Sequence, residues 1–115
     1  MSLTLNTREV NGVTIIDLSG RLTMGEPCAA IREEVRDEIS HEAKKLLLNL
    51  ADVSYIDSAG LGELTAAYTS VKNRGGELKL LNLTKRVRDL MQITKLYTVF
   101  DVHDDEKSAI ASFPK

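Results

Sequence analysis

Several stretches of the chain carry residue types at spacings that chemistry could use. Gly20-Arg21-Leu22-Thr23-Met24-Gly25 has the glycine spacing of a phosphate-binding P-loop. Glu26-Pro27 then stands where a lysine and a Ser/Thr must hold phosphate and magnesium, and an acid there repels phosphate. Gly60-Leu61-Gly62 opens a predicted helix after a predicted strand, as a dinucleotide loop does, but Thr65 occupies the third glycine position. The next strand also ends near Asn82 without an acid to bind a ribose. Ser58 lies in Ile56-Asp57-Ser58-Ala59-Gly60, which lacks the glycine that precedes a nucleophile in a hydrolase elbow. His103 precedes Asp104-Asp105-Glu106 at a spacing that matches no metal motif, and acids at a helix start are accounted for by capping. His41 falls near the end of a helix, where a histidine needs no function. Lys85, Arg86 and Arg88 read as a solvated helix face. No catalytic residue, metal site or cofactor is expected, and the chain does not read as an enzyme.

The stretch Asp57-Ser58-Ala59-Gly60-Leu61-Gly62 is harder to dismiss. It follows the predicted central strand, and open α/β sheets place their ligand and partner sites beyond the carboxyl ends of their strands. Asp57 or Ser58 could simply cap the following helix by accepting from its free N–H groups. Capping does not account for Gly60 and Gly62, each of which costs a helix about 0.5–1 kcal/mol relative to alanine. A smooth surface around Ser58, open to another protein's active site, would justify that cost.

The elements that position this loop follow from periodicity. Leu3, Leu5 and Val10 form one extended run and Val13 to Leu18 another, with Asn11-Gly12 between them as a hairpin turn. Cys28, Ile31, Val35 and Ile39 share a helical face, with Arg32, Glu33, Arg36 and Asp37 off it. Lys45-Leu46-Leu47-Leu48-Asn49-Leu50 reads as a strand covered on both faces at the sheet centre. Leu61, Leu64, Tyr68 and Val71 mark a second helix ending near Arg74-Gly75-Gly76, and Glu77 to Leu83 reads as a strand parallel to the central one. Thr84 should cap a third helix with Val87, Leu90 and Met91 inward. Tyr97 to Val102 reads as a final strand, and Asp104 or Asp105 should cap a last helix with Ile110 inward. The fold class is therefore α/β, with a mixed β-sheet packed against about four helices.

The chain of 115 residues is 43% hydrophobic and 28% charged, as expected of one globular domain over residues 1–115. Its 15 basic and 17 acidic side chains leave a net charge of −2, and aromatic residues make up only 4%. That balance argues against nucleic acid, which calls for a basic field and stacking rings. A lone cysteine, Cys28, excludes disulfide and zinc-ribbon scaffolds and reads as core. No apolar run approaches the roughly 20 residues of a membrane helix, and no leader pattern opens the chain, so direct membrane insertion is not expected and a cytoplasmic location is.

Asp57-Ser58-Ala59-Gly60-Leu61-Gly62, Leu18-Ser19-Gly20-Arg21-Leu22 and the Gly75-Gly76 turn before a strand together resemble the STAS domain of bacterial anti-sigma factor antagonists. The resemblance covers nearly the whole chain and implies that family's fold of four helices and a mixed sheet. It also implies a partner switch, in which the unphosphorylated antagonist binds an anti-sigma factor that is a serine kinase and sigma factor is freed. Phosphorylation of Ser58 by ATP would release the complex, and a metal-dependent serine phosphatase would restore the hydroxyl. On this resemblance Asp57, Ser58, Ala59, Gly60, Leu61, Gly62 and Thr23 are the partner-binding residues. Two departures bear on it: Ala59 replaces a second hydroxyl found in some relatives, which leaves Ser58 as the loop's acceptor. Thr23 stands where well-studied members commonly carry an acid. STAS-like domains also serve as constitutive scaffold subunits of transporters or signalling assemblies, and a nucleotide or ligand sensor using the same loop is a further alternative.

Overall fold

The computed structural model describes residues 3–114. Strands β1 (Leu3–Val10) and β2 (Val13–Leu22) form an antiparallel hairpin. Its turn residues, Asn11 and Gly12, both have positive φ, 51° and 83°, a conformation these residue types adopt at little cost. The chain then alternates: helix α1 (Glu26–Ser40), strand β3 (Lys45–Ile56), helix α2 (Ser58–Asn73), strand β4 (Glu77–Leu81) and helix α3 (Lys85–Thr94). A short strand β5 (Val102–His103) and helix α4 (Glu106–Ala111) complete it. The sheet order is β1-β2-β3-β4-β5, with every pair after the hairpin parallel. Because the strand order advances in one direction, crossovers of a single hand place α1, α2 and α3 on the same face.

Side-chain alternation divides the interior accordingly. Ile16, Leu18, Leu46, Leu48, Leu78 and Leu80 point toward α1–α3, where Ile31, Val35, Leu61, Leu64, Val71, Val87 and Met91 meet them in the main core. Val13, Ile15, Leu47 and Leu81 point the other way and are covered by Ala109 and Phe113 at the end of the chain. Both faces of β3 are thus buried, as its unbroken apolar run requires. Cys28 lies in the main core, and its thiol donates to the Thr23 carbonyl at 3.2 Å.

Differences from expectation have local causes. Strand β3 continues six residues beyond Leu50, to Ile56. Two register irregularities against β2, between Asp17 and Ser19 and between Gly20 and Arg21, change the inward spacing from two to three, so that Leu50, Val53 and Ile56 all face the core. The strand expected over Tyr97–Val102 does not form. Lys95 closes α3 in a left-handed conformation, Leu96–Thr98 make a 3₁₀ turn, and only Val102 and His103 pair with β4. The apolar content of that stretch serves packing instead, with Phe100 edge-on to Tyr68 at a centroid distance of 5.5 Å. Strand β4 stops at Leu81, where Asn82 turns to φ 58°. In α4 the fully buried residue is Ala109, and Ile110 is half-buried at its side. The N-caps of α3 and α4 are Thr84 and Asp105.

Candidate functional site

The site lies where β3 turns into α2. Asp57 has extended backbone and is the N-cap of α2: its Oδ1 accepts from the Gly60 N–H at 2.8 Å, satisfying one free donor of the first turn. The other oxygen, Oδ2, accepts from the Met24 N–H at 3.1 Å, and the Asp57 N–H donates to the Leu22 carbonyl at 3.3 Å. One side chain therefore caps the helix and ties it to the β2–α1 connection. The Gly60 N–H, with a smaller contribution from Met24, holds the Asp57 carboxyl below its ordinary range, so it is ionised at neutral pH.

With the cap taken by Asp57, Ser58 is the first residue of α2 and is exposed. Ala59 is half-buried against the main core. Gly60 is buried, and a Cβ there would lie 2.3 Å from the Leu22 carbonyl oxygen and 2.8 Å from its Cγ. The close approach that requires glycine at 60 is internal, between α2 and the end of β2, and not at the surface as expected. Leu61 is likewise interior, only 2% exposed, rather than shared with an outer surface. Gly62 is exposed, with no atom within 4 Å of where a Cβ would stand. Thr23 is half-buried, beside Met24 on the strap that Asp57 holds. Of the residues singled out from the sequence, Ser58 and Gly62 face outward, Asp57 and Thr23 are half-buried, and Ala59, Gly60 and Leu61 form the support beneath.

The structure also brings together residues that nothing in the sequence groups. Tyr55, Arg86, Leu90 and Ile93 line an open groove of about 410 Å³ together with Ser58. Tyr55 carries two guanidinium groups on its ring, Arg86 at 4.2 Å and Arg21 at 4.5 Å from the centroid. Arg21 is the cross-strand partner of Tyr55. The basic group on α3 is thus not a uniform solvated face: Lys85 pairs with Asp89 at 2.8 Å and Arg88 with Asp104 at 3.4 Å, while Arg86 turns to the groove. Large apolar side chains stand out beside the loop, Met24 at 75% exposure and Ile93 at 77%. Two arginines that can reach one tyrosine across three elements have no signature in linear spacing.

The remaining candidates lie elsewhere. His103 bonds the Asp101 carboxylate at 3.1 Å beside Lys79, so it belongs to a polar cluster at the sheet edge. His41 is the C-cap of α1, with Nδ1 2.9 Å from the Asp37 carbonyl oxygen. Among the described residues no helix is long and apolar enough to cross a membrane.

This arrangement of a mixed five-stranded sheet and four helices, with a capped serine loop beyond the central strand, defines a class. The chain belongs to the STAS domain family, whose pattern matches residues 4–109. It is similar to the anti-sigma-B factor antagonist of Bacillus subtilis, at 29% identity over 102 residues, covering 89% of this chain and 92% of that protein. It is also similar to the anti-sigma F factor antagonist of Paenibacillus polymyxa, at 25% identity over 111 residues, covering 96% of this chain and 94% of that one. Its fold matches that of the Bacillus cell fate determinant SpoIIAA in the phosphorylated form, with a TM-score of 0.73 at 23% identity over 94% of this chain and 97% of that one.

Proposed function

We propose that the chain is an anti-sigma factor antagonist whose partner is released when Ser58 is phosphorylated. The observation that carries this reading is the division of labour at the loop. Asp57 does the capping, Gly60 and Leu61 anchor the turn inside the domain, and Ser58 is left exposed beside Gly62, where the fold leaves room for a side chain. The two full-length relatives named above, both anti-sigma factor antagonists, support the same assignment.

The unphosphorylated loop would dock on an anti-sigma factor that is also a serine kinase, with Met24 and Ile93 as apolar contacts on either side. Ser58 Oγ would attack the γ-phosphorus of ATP, the bond to the ADP oxygen would break, and the hydroxyl proton would pass to a base on the kinase. A serine phosphatase would reverse the state by adding water to the phosphorus, yielding inorganic phosphate and the free hydroxyl. The chain in this account is a substrate and a switch, with no catalytic group of its own.

A phosphate adds about −1.5 to −2 charges at one surface point. The helix N-terminus tolerates it within the domain, so the fold need not change. The penalty falls on an interface shaped for a neutral hydroxyl, where the ionised Asp57 adds like-charge repulsion. A change of about 1.4 kcal/mol is already tenfold in affinity.

The test is to incubate the protein with serine kinases of the anti-sigma type from its source and Mg-ATP, then map any added mass. One phosphate on Ser58, absent from Ser58→Ala, is the expected result. No phosphate with any such kinase, or phosphate elsewhere, removes the switch and favours a constitutive scaffold.

A further inference from the structure

The groove beside Ser58 holds one cation without an ionic partner. Lys85 and Arg88 on the same helix are engaged by Asp89 and Asp104. Arg86 has no ion pair among the described residues and rests on the Tyr55 ring, in a groove that Ser58 also lines. A guanidinium held over an aromatic ring by its charge makes no hydrogen bond to it, which leaves its N–H donors for another partner. This contact is attractive even at exposed sites and limits the side chain to few orientations. Tyr55 therefore acts as a platform that presents Arg86 beside the serine, three residues further along the chain.

The acidic groups of the groove favour a cation there once a phosphate arrives. Asp57 lines it from the start of α2 and Asp89 from α3. Asp57 is held by the Gly60 and Met24 N–H groups and Asp89 by Lys85, so neither competes for Arg86, yet both would repel a dianion. We propose that Arg86, presented on Tyr55, is the intramolecular receptor for a phosphate on Ser58, drawing it against α3 across the groove. Arginine suits this role because its fork can donate two parallel hydrogen bonds to phosphate oxygens, each charge-assisted. Arg21, the second guanidinium on the Tyr55 ring, adds positive field from the β2 side. The inference rests on Ser58 being the modified residue. It adds that the phosphorylated state is a defined conformation in which the groove flanked by Ile93 is closed from within, and not merely the same surface with more charge.

The test uses full-length protein with phosphoserine inserted at position 58 during translation, so that no kinase is needed, and follows the phosphate by ³¹P NMR titration. The second ionisation of phosphoserine ordinarily falls near pH 6, and a paired guanidinium lowers it. In the parent sequence it should lie at least about half a pH unit below its position in Arg86→Ala, roughly a threefold change in proton affinity. Arg86→Lys should recover only part of the difference. Arg88→Ala removes the same charge from the same helix outside the groove, where its partner Asp104 also lies, and should stay close to the parent. Equal values in the parent and Arg86→Ala, or an equal rise in Arg88→Ala and Arg86→Ala, would overturn the pairing. A null here leaves the switch standing, whereas failure of kinases to modify Ser58 removes the switch and leaves this measurement intact.

Discussion

Gly60 and Gly62 are the same residue type under different constraints. A Cβ at Gly60 would press on the Leu22 carbonyl at 2.3 Å, and neither the end of β2 nor the first turn of α2 can yield without disturbing the Asp57 hydrogen bonds that join them. Gly60→Ala should therefore destabilise the domain by about 1–3 kcal/mol, as overpacking does. Gly62 meets open space, so Gly62→Ala should stabilise by about 0.5–1 kcal/mol through helix propensity alone. Urea denaturation midpoints check both, and shifts of the same sign would contradict the assignment. From the sequence the cost of two glycines in one helical turn was visible, but which of them served the interior was not. That depends on Leu22, 38 residues away in the chain and brought near by the β2–β3 pairing. The outward position of Ser58 was legible in part, because an Asp-Ser pair before an amphipathic helix leaves one residue to cap and the other free.

At the scale of elements, helix α1 carries a pH dependence of its own. Partial burial, the neighbouring Glu34 carboxyl and Asp37 push the Glu38 carboxyl up to about 7 from an ordinary 4.5. The folded protein thus binds more protons than the unfolded chain between those values, and stability falls as pH rises through that window. Glu38→Gln should flatten the fall in melting temperature between roughly pH 5 and pH 7.5, leaving the smaller contribution of exposed His41, which Asp37 holds above its ordinary range. A fall as steep as the parent's would contradict the assignment. Asp17 and Asp101 behave oppositely: Arg8 and Lys79 hold their carboxyls below the ordinary range. Their contribution is complete above the unfolded value and is lost as pH falls through the folded one, so acid unfolding should be unaltered in Glu38→Gln. Elements with strict periodicity were legible in the sequence: the Asn11-Gly12 hairpin, the inward face of α1, the apolar run of β3 and the capped start of α3 all formed as spacing predicts. What periodicity missed were places where it is interrupted. The two irregularities hid the second half of β3, and the β-branched and aromatic residues from Tyr97 to Phe100 imitated a strand while anchoring a turn to Tyr68.

For the molecule as a whole, one-directional strand order puts three helices on one face and leaves the loop at residues 57–62 beyond the end of the central strand. The surface there combines exposed Met24, Ile93 and Ser58 with a groove whose Arg86 has no ion pair among the described residues, over buried Gly60 and Leu61. A net charge of −2 would roughly double on phosphorylation, with the whole increment at one point. A switch built this way needs no change of fold, only a change in what the partner meets. The most direct measurement is therefore the affinity of the cognate anti-sigma factor for three forms of the protein: unmodified, Ser58→Ala and phosphoserine-58. Unmodified protein and Ser58→Ala should bind within about threefold of each other, and the phosphorylated form at least about tenfold more weakly, a difference of about 1.4 kcal/mol. Equal affinities for all three would contradict the account.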